Sequence, residues 1–310
     1  MTRTPRLFGG SMTALATPFK EGRIDERTFV RLCERQIECG TTALIVCGST
    51  GEAPALSRDE QAALIRMAVV TAGGQIPVIA GCSGPSTEAA AAIAQLAAAC
   101  GASGLLCAPT PYVKPSQDGI IAHMRVLAHA ADLPLIAYDV PGRVGVAIKD
   151  QTVATLFERG LIAGIKDATA DLGRPPRLRA LCGPAFLQFS GDDATAAAYR
   201  AAGGHGCISV TANLAPSLCA SMHLAWDKGD LATFAHGRDL LAPLHDALFT
   251  ESNPVPLKAA LAMLNLATTE VRLPLLRASE ATKEKLAEAM APVMSQEEWI
   301  AAHPRYALAS

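Results

Sequence analysis

The chain has 310 residues, 50% of them hydrophobic and 18% charged, with a formal net charge of −2. That apolar share, with a mean hydropathy of +0.24, excludes a disordered or low-complexity polypeptide. The balance of charge offers no footprint for nucleic acid, and no apolar run is long enough to span a bilayer.

The opening stretch Met1–Gly10 carries two arginines with no apolar run behind them, so no secretory leader is expected. Two kinds of segment then alternate. Short apolar runs at Met12–Ala16, Ala43–Cys47, Pro77–Ala80, Gly104–Ala108, Pro134–Ala137, Leu161–Ile165, Phe186–Phe189 and Cys207–Val210 read as strands. Pro77 and Pro134 open theirs, where a missing N–H does least harm. Between the runs, Glu26–Cys39, Arg58–Thr71, Ser86–Cys100, Gln117–Ala131 and Asp150–Glu158 have helical periodicity. Ser57-Arg58-Asp59-Glu60 and Ser116-Gln117-Asp118 are helix start signals. The Ala-rich stretch 89–99, interrupted by Gln95, reads as a buried helix.

Eight strand–helix repeats predict an α/β protein, a closed (β/α)8 TIM barrel, with a doubly wound open sheet as the competing arrangement. No Gly-x-Gly-x-x-Gly follows the first strand, and Gly48-Ser49-Thr50-Gly51 lacks the lysine of a phosphate loop, so neither motif calls for a nucleotide cofactor. After the eighth run the pattern is helical, at Pro216–Lys228, Asp230–Phe249, Pro256–Leu266, Glu280–Met290 and Gln296–Ala301. A boundary at Lys228-Gly229-Asp230 divides the chain into a barrel over 1–229 and a C-terminal α-helical domain over 230–310. The nine cysteines include no Cys-x-x-Cys pair, which argues against a disulfide framework or a zinc site. Cys47, Cys107 and Cys207 lie in apolar runs as small hydrophobes. A reduced, cytoplasmic protein is expected.

In a barrel of this kind the reacting groups lie at the C-terminal ends of strands. Those ends read Gly48-Ser49-Thr50-Gly51-Glu52, Pro109-Thr110-Pro111-Tyr112, Tyr138-Asp139-Val140-Pro141 with Arg143 beyond, Lys166-Asp167, and Ser190-Gly191-Asp192-Asp193. Ser209, Thr211 and Asn213 follow the last strand, so hydroxyls, phenols, one lysine and one arginine are expected at one mouth. Lys166 closes its apolar run, and alternation puts Ile162, Gly164 and Lys166 on one face. If that face points inward, desolvation favours the neutral amine that attack on a carbonyl needs, and Gly164 leaves room for a ligand. The competing reading is a lysine snorkelling to water.

Tyr138 is either a core tyrosine or a phenol placed to move protons. Ser49 and Thr50, between glycines, offer hydroxyls and N–H groups to a carboxylate, or form an ordinary turn. Arg143 is either a bidentate carboxylate ligand or a surface arginine. Glu52 reads as a carboxylate that opens a helix rather than as a general base. Asp192 and Asp193 are adjacent, so their side chains diverge, and the seven histidines show no metal-binding spacing. No metal is expected. The set points to carbonyl chemistry through a Schiff base without a cofactor.

These residues fall into a known pattern. The chain resembles the dihydrodipicolinate synthase / N-acetylneuraminate lyase superfamily of class I pyruvate aldolases, from about Gly10 to about Pro274. The resemblance is carried by Ala43-Leu-Ile-Val-Cys-Gly-Ser-Thr-Gly-Glu52 with Glu60 beyond it, and by Tyr138-Asp-Val-Pro141 followed by Gly164-Ile-Lys-Asp-Ala168. Ser190-Gly-Asp-Asp193 and the run Gly203–Asn213 add to it. It implies that Lys166 forms the Schiff base with pyruvate, that Thr50 and the backbone around Ser49 hold the pyruvate carboxylate, and that Gly191 and Ile208 line the substrate pocket. It also implies a proton relay of Tyr138, Ser49 and Tyr112, the last lent by a neighbouring subunit of a homotetramer.

Arg143, two residues past Pro141, resembles the arginine with which the synthase branch takes the aldehyde's carboxylate; Glu251-Ser-Asn-Pro-Val-Pro-Leu-Lys258 also looks synthase-like. The implied reaction is condensation of pyruvate with L-aspartate semialdehyde to 4-hydroxy-tetrahydrodipicolinate. A related aldolase acting on a sugar acid or hydroxy-oxoglutarate, and a catalytically silent binder on the same scaffold, are the alternatives. The chain departs from the usual synthase pattern at Ser49 (commonly Thr), Pro111 (Tyr), Asp139 (Asn) and Gly142 (Ser). At the positions matching the lysine site of inhibited relatives stand Arg58, Gln61, Pro85, Ala89 and Pro111, so weak or absent lysine inhibition is expected.

Overall fold

Eight parallel strands form a closed barrel: β1 (Gly10–Ala14), β2 (Ala43–Val46), β3 (Val78–Gly81), β4 (Gly104–Cys107), β5 (Leu135–Asp139), β6 (Gly164–Asp167), β7 (Leu187–Ser190) and β8 (Gly206–Ser209). The computed structural model describes residues 9–302; residues 1–8, read above for a leader, and His303 lie outside them. Each strand pairs with the next in sequence, and β1 closes the ring, with Met12 opposite Ile208 on one side and Ala43 on the other. The open-sheet arrangement is thereby excluded.

Strand alternation sorts side chains into two layers. Met12, Ala14, Ala43, Ile45, Ile79, Leu106, Ile136, Phe189 and Ile208 fill the barrel interior. Leu44, Val46, Ala80, Leu105, Ala137 and Ile165 point outward into the helices. Each fully buried Leu, Ile or Phe contributes about 1.5–3 kcal/mol of transfer free energy.

Two expectations about β6 need correction. The strand begins at Gly164, not Leu161, and Ile162 lies before it, buried in the outer layer; Ile162 therefore does not share the face of Lys166. Gly164 leaves no room for a ligand. A Cβ there would lie 2.5 Å from the Leu187 carbonyl oxygen and 2.6 Å from the Leu187 Cβ, so the glycine is needed for the approach of β7.

The helix caps follow the sequence signals. Ser57 and Glu60 form a reciprocal capping box at the start of Arg58–Ala72, and the Ser116 hydroxyl accepts from the Gly119 N–H at the start of Gln117–Ala130. The Ala-rich stretch lies within the helix Thr87–Ala99, with Ala90, Ile93, Ala94 and Ala97 buried. Three helices escaped the periodicity: Pro141–Val144, Arg174–Cys182 and Ala196–Ala201. They are short, and Arg174–Cys182 carries Pro175-Pro176 in its first turn, a pair that reads as a break although proline in the first turn is a start signal.

After β8 come the helices Pro216–Lys228, Leu231–Leu248, Val255–Met263 and Glu280–Ala302. Gly229 caps the first of these at φ 77°, and Asp230 caps the next by accepting from Thr233 N–H. The final element is one helix where two were expected. Pro292 lies inside it and lacks an N–H, but Met290 and Val293 on either side, with Leu286 and Ile300, are buried and hold the turn in place. Among the described residues no helix is long and apolar enough to cross a membrane.

Candidate active site

The register of two strands creates the centre of the site. Tyr138 on β5 and Lys166 on β6 are direct partners, and both precede the last residue of their strand. Alternation turns both into the barrel mouth. The Lys166 side chain lies within the wall, the residue being 6% exposed, and its Nζ stands 4.4 Å from the Tyr138 ring centroid. This is an amine held beside a phenol, and it is incompatible with a lysine reaching out to bulk water.

Gly191 follows β7 and presses on the same lysine. A Cβ there would lie 2.9 Å from Lys166 Cε and 3.0 Å from its Cγ. The missing side chain is therefore what admits the stem of Lys166. Ile208 lies in the interior layer on β8.

Ser49 and Thr50 sit in the turn after β2, between two non-glycine residues in the left-handed region, Cys47 and Glu52, both at φ 54°. Such backbone costs about 1–3 kcal/mol per residue and persists only where its surroundings enforce it. Here they do. Gly81 lets the Cys47 carbonyl pass within 2.1 Å of where a Cβ would stand. The Thr17 hydroxyl donates to the Gly51 carbonyl at 2.8 Å. Thr50 is buried at 3% exposure and Ser49 is half-buried.

Glu52 does open a short helix, but its side chain does not cap it. It is buried, paired with Lys258, and accepts from the Arg272 N–H at 2.9 Å. Burial pushes the Lys258 amine below its ordinary value, with Glu52 pulling it back. Arg272 also grips Glu60, whose carboxyl is held at about 2 by that guanidinium. The C-terminal segment thus clamps the loop that carries Ser49 and Thr50.

Asn253 belongs to this clamp and was not singled out from sequence. Its amide donates to the Thr50 hydroxyl at 3.0 Å, and its carbonyl accepts from Arg143 at 3.2 Å. Arg143 itself is exposed at the rim, in the short helix Pro141–Val144. Tyr112 stands 94% exposed at φ 73° in the turn after β4, so the chain directs it outward and not toward its own Lys166.

Ser209, Thr211, Asn213, Asp192 and Asp193, also expected at the mouth, are engaged elsewhere. Ser209 donates to Asp193, whose other oxygen takes the N–H groups of Val210 and Thr211. Thr211 bonds His245, and Asn213 donates to the carbonyls of Ala14 and Val210. These side chains brace the barrel rather than line the site. Asp192 caps the next turn through Thr195. Among the described residues no three His, Cys, Asp or Glu side chains gather as a metal site.

A second unforeseen residue lies behind the pair. Asp139 and Asp167, which follow Tyr138 and Lys166, face outward and meet the buried Arg174 at 2.7 and 3.2 Å. Arg174 also bonds Asp150 at 2.9 Å and the Ile148 carbonyl. Burial lifts the Asp139 carboxyl above its ordinary value while Arg174 pulls against it. A lone arginine before two prolines carries no sequence signal of this role.

A sequence model described as the Dihydrodipicolinate synthetase family matches residues 7–292. The chain belongs to that family. One relative within it, the 4-hydroxy-tetrahydrodipicolinate synthase of Rhodospirillum centenum, is 46% identical over 284 residues, covering 92% of this chain and 98% of the relative. Two solved structures are also close. A monomeric dihydrodipicolinate synthase variant has a TM-score of 0.90 at 37% identity, covering 93% of this chain and 97% of its own. The chloride-inhibited dihydrodipicolinate synthase from Acinetobacter baumannii, complexed with pyruvate, has a TM-score of 0.89 at 38% identity over 92% of this chain and 99% of its own. The family's barrel is therefore the frame in which Lys166, Tyr138 and the Ser49–Thr50 turn are set.

Proposed function

We propose that this chain is a 4-hydroxy-tetrahydrodipicolinate synthase, a lyase that condenses pyruvate with L-aspartate semialdehyde through a Schiff base and serves lysine and diaminopimelate synthesis. The observation that carries the reading is the buried Lys166 amine beside the Tyr138 phenol. The amine attacks the pyruvate keto carbon to give a carbinolamine. Loss of water then yields the imine, and proton loss from the methyl carbon gives the enamine that adds to the aldehyde. Tyr138 moves protons in these steps, with Ser49 and a Tyr112 from a neighbouring copy as further relay members. Thr50 holds the pyruvate carboxylate, Gly191 and Ile208 shape its pocket, and Arg143 takes the carboxylate of the aldehyde.

The 94% exposure of Tyr112 supports its action in trans, and we assign the enzyme to a homotetramer, a dimer of dimers, in the cytoplasm. No nucleic acid or membrane partner enters this reading. We keep the division into a catalytic barrel (1–229) and a C-terminal helical domain (230–310) as part of this reading; Asn253, Lys258 and Arg272 of the second part contact the carboxylate loop of the first.

Borohydride reduction in the presence of pyruvate tests the chemistry: the reduced adduct is expected on Lys166 and absent from Lys166→Ala. A panel of aldehydes tests the specificity. Aspartate semialdehyde should give the highest kcat/KM, and turnover of sugar aldehydes without it overturns the assignment.

A further inference from the structure

The hydroxyl of Thr50 has one proton and two lone pairs, whereas a carboxylate can only accept. To hold the pyruvate carboxylate, Thr50 must keep its proton for the substrate. The neighbouring group decides whether it does. Asn253 Nδ2 donates to Thr50 Oγ1 at 3.0 Å, which occupies a lone pair and leaves the proton available. An acceptor in the same place would take that proton. Both partners are buried, Thr50 at 3% and Asn253 at 7% exposure, so water does not compete for the bond. The Asn253 Oδ1 atom is buried with no partner, a cost that is retained where the other end of the amide is needed. The main-chain carbonyl of Asn253 accepts from Arg143, so one residue touches the groups proposed to anchor both substrates.

We infer that Asn253 is a positioning residue that fixes Thr50 as a hydrogen-bond donor to the substrate carboxylate; this rests on the pyruvate reading above. Asn253 contacts no reacting atom and acts through Thr50. A carboxylate of the same size at position 253 reverses the polarity of the bond and adds a negative charge next to the anion site.

The test is steady-state kinetics on Asn253→Asp, Asn253→Ala, Thr50→Val and the double variant Thr50→Val/Asn253→Asp, each checked for native circular dichroism. Loss of a hydrogen bond to a charged group predicts a pyruvate KM raised on the order of 10- to 100-fold in Asn253→Asp. A smaller rise is expected in Asn253→Ala, and kcat at saturating pyruvate should change far less than KM in both. Because Asn253 works through Thr50, the two substitutions should be markedly non-additive. If Thr50→Val leaves the pyruvate KM unchanged, the carboxylate reading of Thr50 fails. If Thr50→Val raises it while the Asn253 variants do not, or if the effects simply add, the positioning role is wrong. Should Asn253→Asp not fold, Asn253→Ala decides alone: a loss confined to kcat overturns the inference.

Discussion

Arg174 is the buried charge on which the back of the site depends, and replacing it with methionine gives a quantitative test. Its side chain is 4% exposed and meets Asp139 at 2.7 Å and Asp167 at 3.2 Å, themselves 0% and 1% exposed. In Arg174→Met, Asp139 keeps the Ile148 N–H at 3.1 Å, and Asp167 keeps the Thr169 N–H and hydroxyl. Asp150 keeps Arg177 at 2.8 Å. Breaking a buried pair from one side costs about 3–5 kcal/mol. Protonation sets a ceiling: neutralising one carboxyl of ordinary pKa near 4 costs about 4 kcal/mol at pH 7 and about 2 kcal/mol at pH 5.5.

The sign follows from Asp139, which burial already raises above its unfolded value against the pull of Arg174. Without Arg174 the folded protein holds that proton more tightly still. Stability then falls as pH rises from near 4 through the folded value, and recovers on acidification. Urea midpoints by far-ultraviolet circular dichroism, at one fixed protein concentration, should show a deficit of about 4 kcal/mol at pH 7 and about 2 kcal/mol at pH 5.5 relative to the parent chain. A deficit below about 1 kcal/mol at pH 7, the value of a surface pair, or one that grows on acidification, refutes the account.

Gly191→Ala places a methyl 2.9 Å from Lys166 Cε. Displacing the amine by roughly 1 Å should lower kcat about 100-fold with stability little changed; full activity would show that the lysine stem has slack. Tyr112→Phe should keep the fold and lose roughly 10²- to 10⁴-fold in kcat, and a demonstrated monomer with full activity would remove the trans role. Lysine in the assay should inhibit weakly or not at all. Arg58, Pro85 and Pro111 are exposed, while Gln61 is buried with its amide donating to the Ala53 carbonyl, so none of the side chains there offers lysine a carboxylate. Half-inhibition at micromolar lysine would contradict that expectation.

The barrel was legible in the chain because strand and helix periods are local properties. Apolar runs separated by amphipathic segments specify parallel βα units without reference to anything distant; Lys166 and Tyr138 stand at the ends of such runs, where the pattern alone left a snorkelling lysine and a core tyrosine open as readings. Side-chain direction near an element's end was less secure. Ile162 took the outer layer because β6 starts at Gly164, and Ser209 turned away from the mouth to meet Asp193.

What only the tertiary structure decided is the set of contacts between segments far apart in sequence. Thr50 and Asn253 are separated by 203 positions, and Arg272 reaches Glu52 across 220. Arg174 finds Asp139 and Asp167 only once β5 and β6 are paired. The physical reason is that periodicity records which face of an element is apolar, whereas a buried polar group is satisfied by whichever partner the closed barrel brings within about 3 Å. The sequence determined the scaffold and the strand-end position of Lys166; closure of the barrel and docking of the C-terminal segment determined how that lysine's surroundings are held.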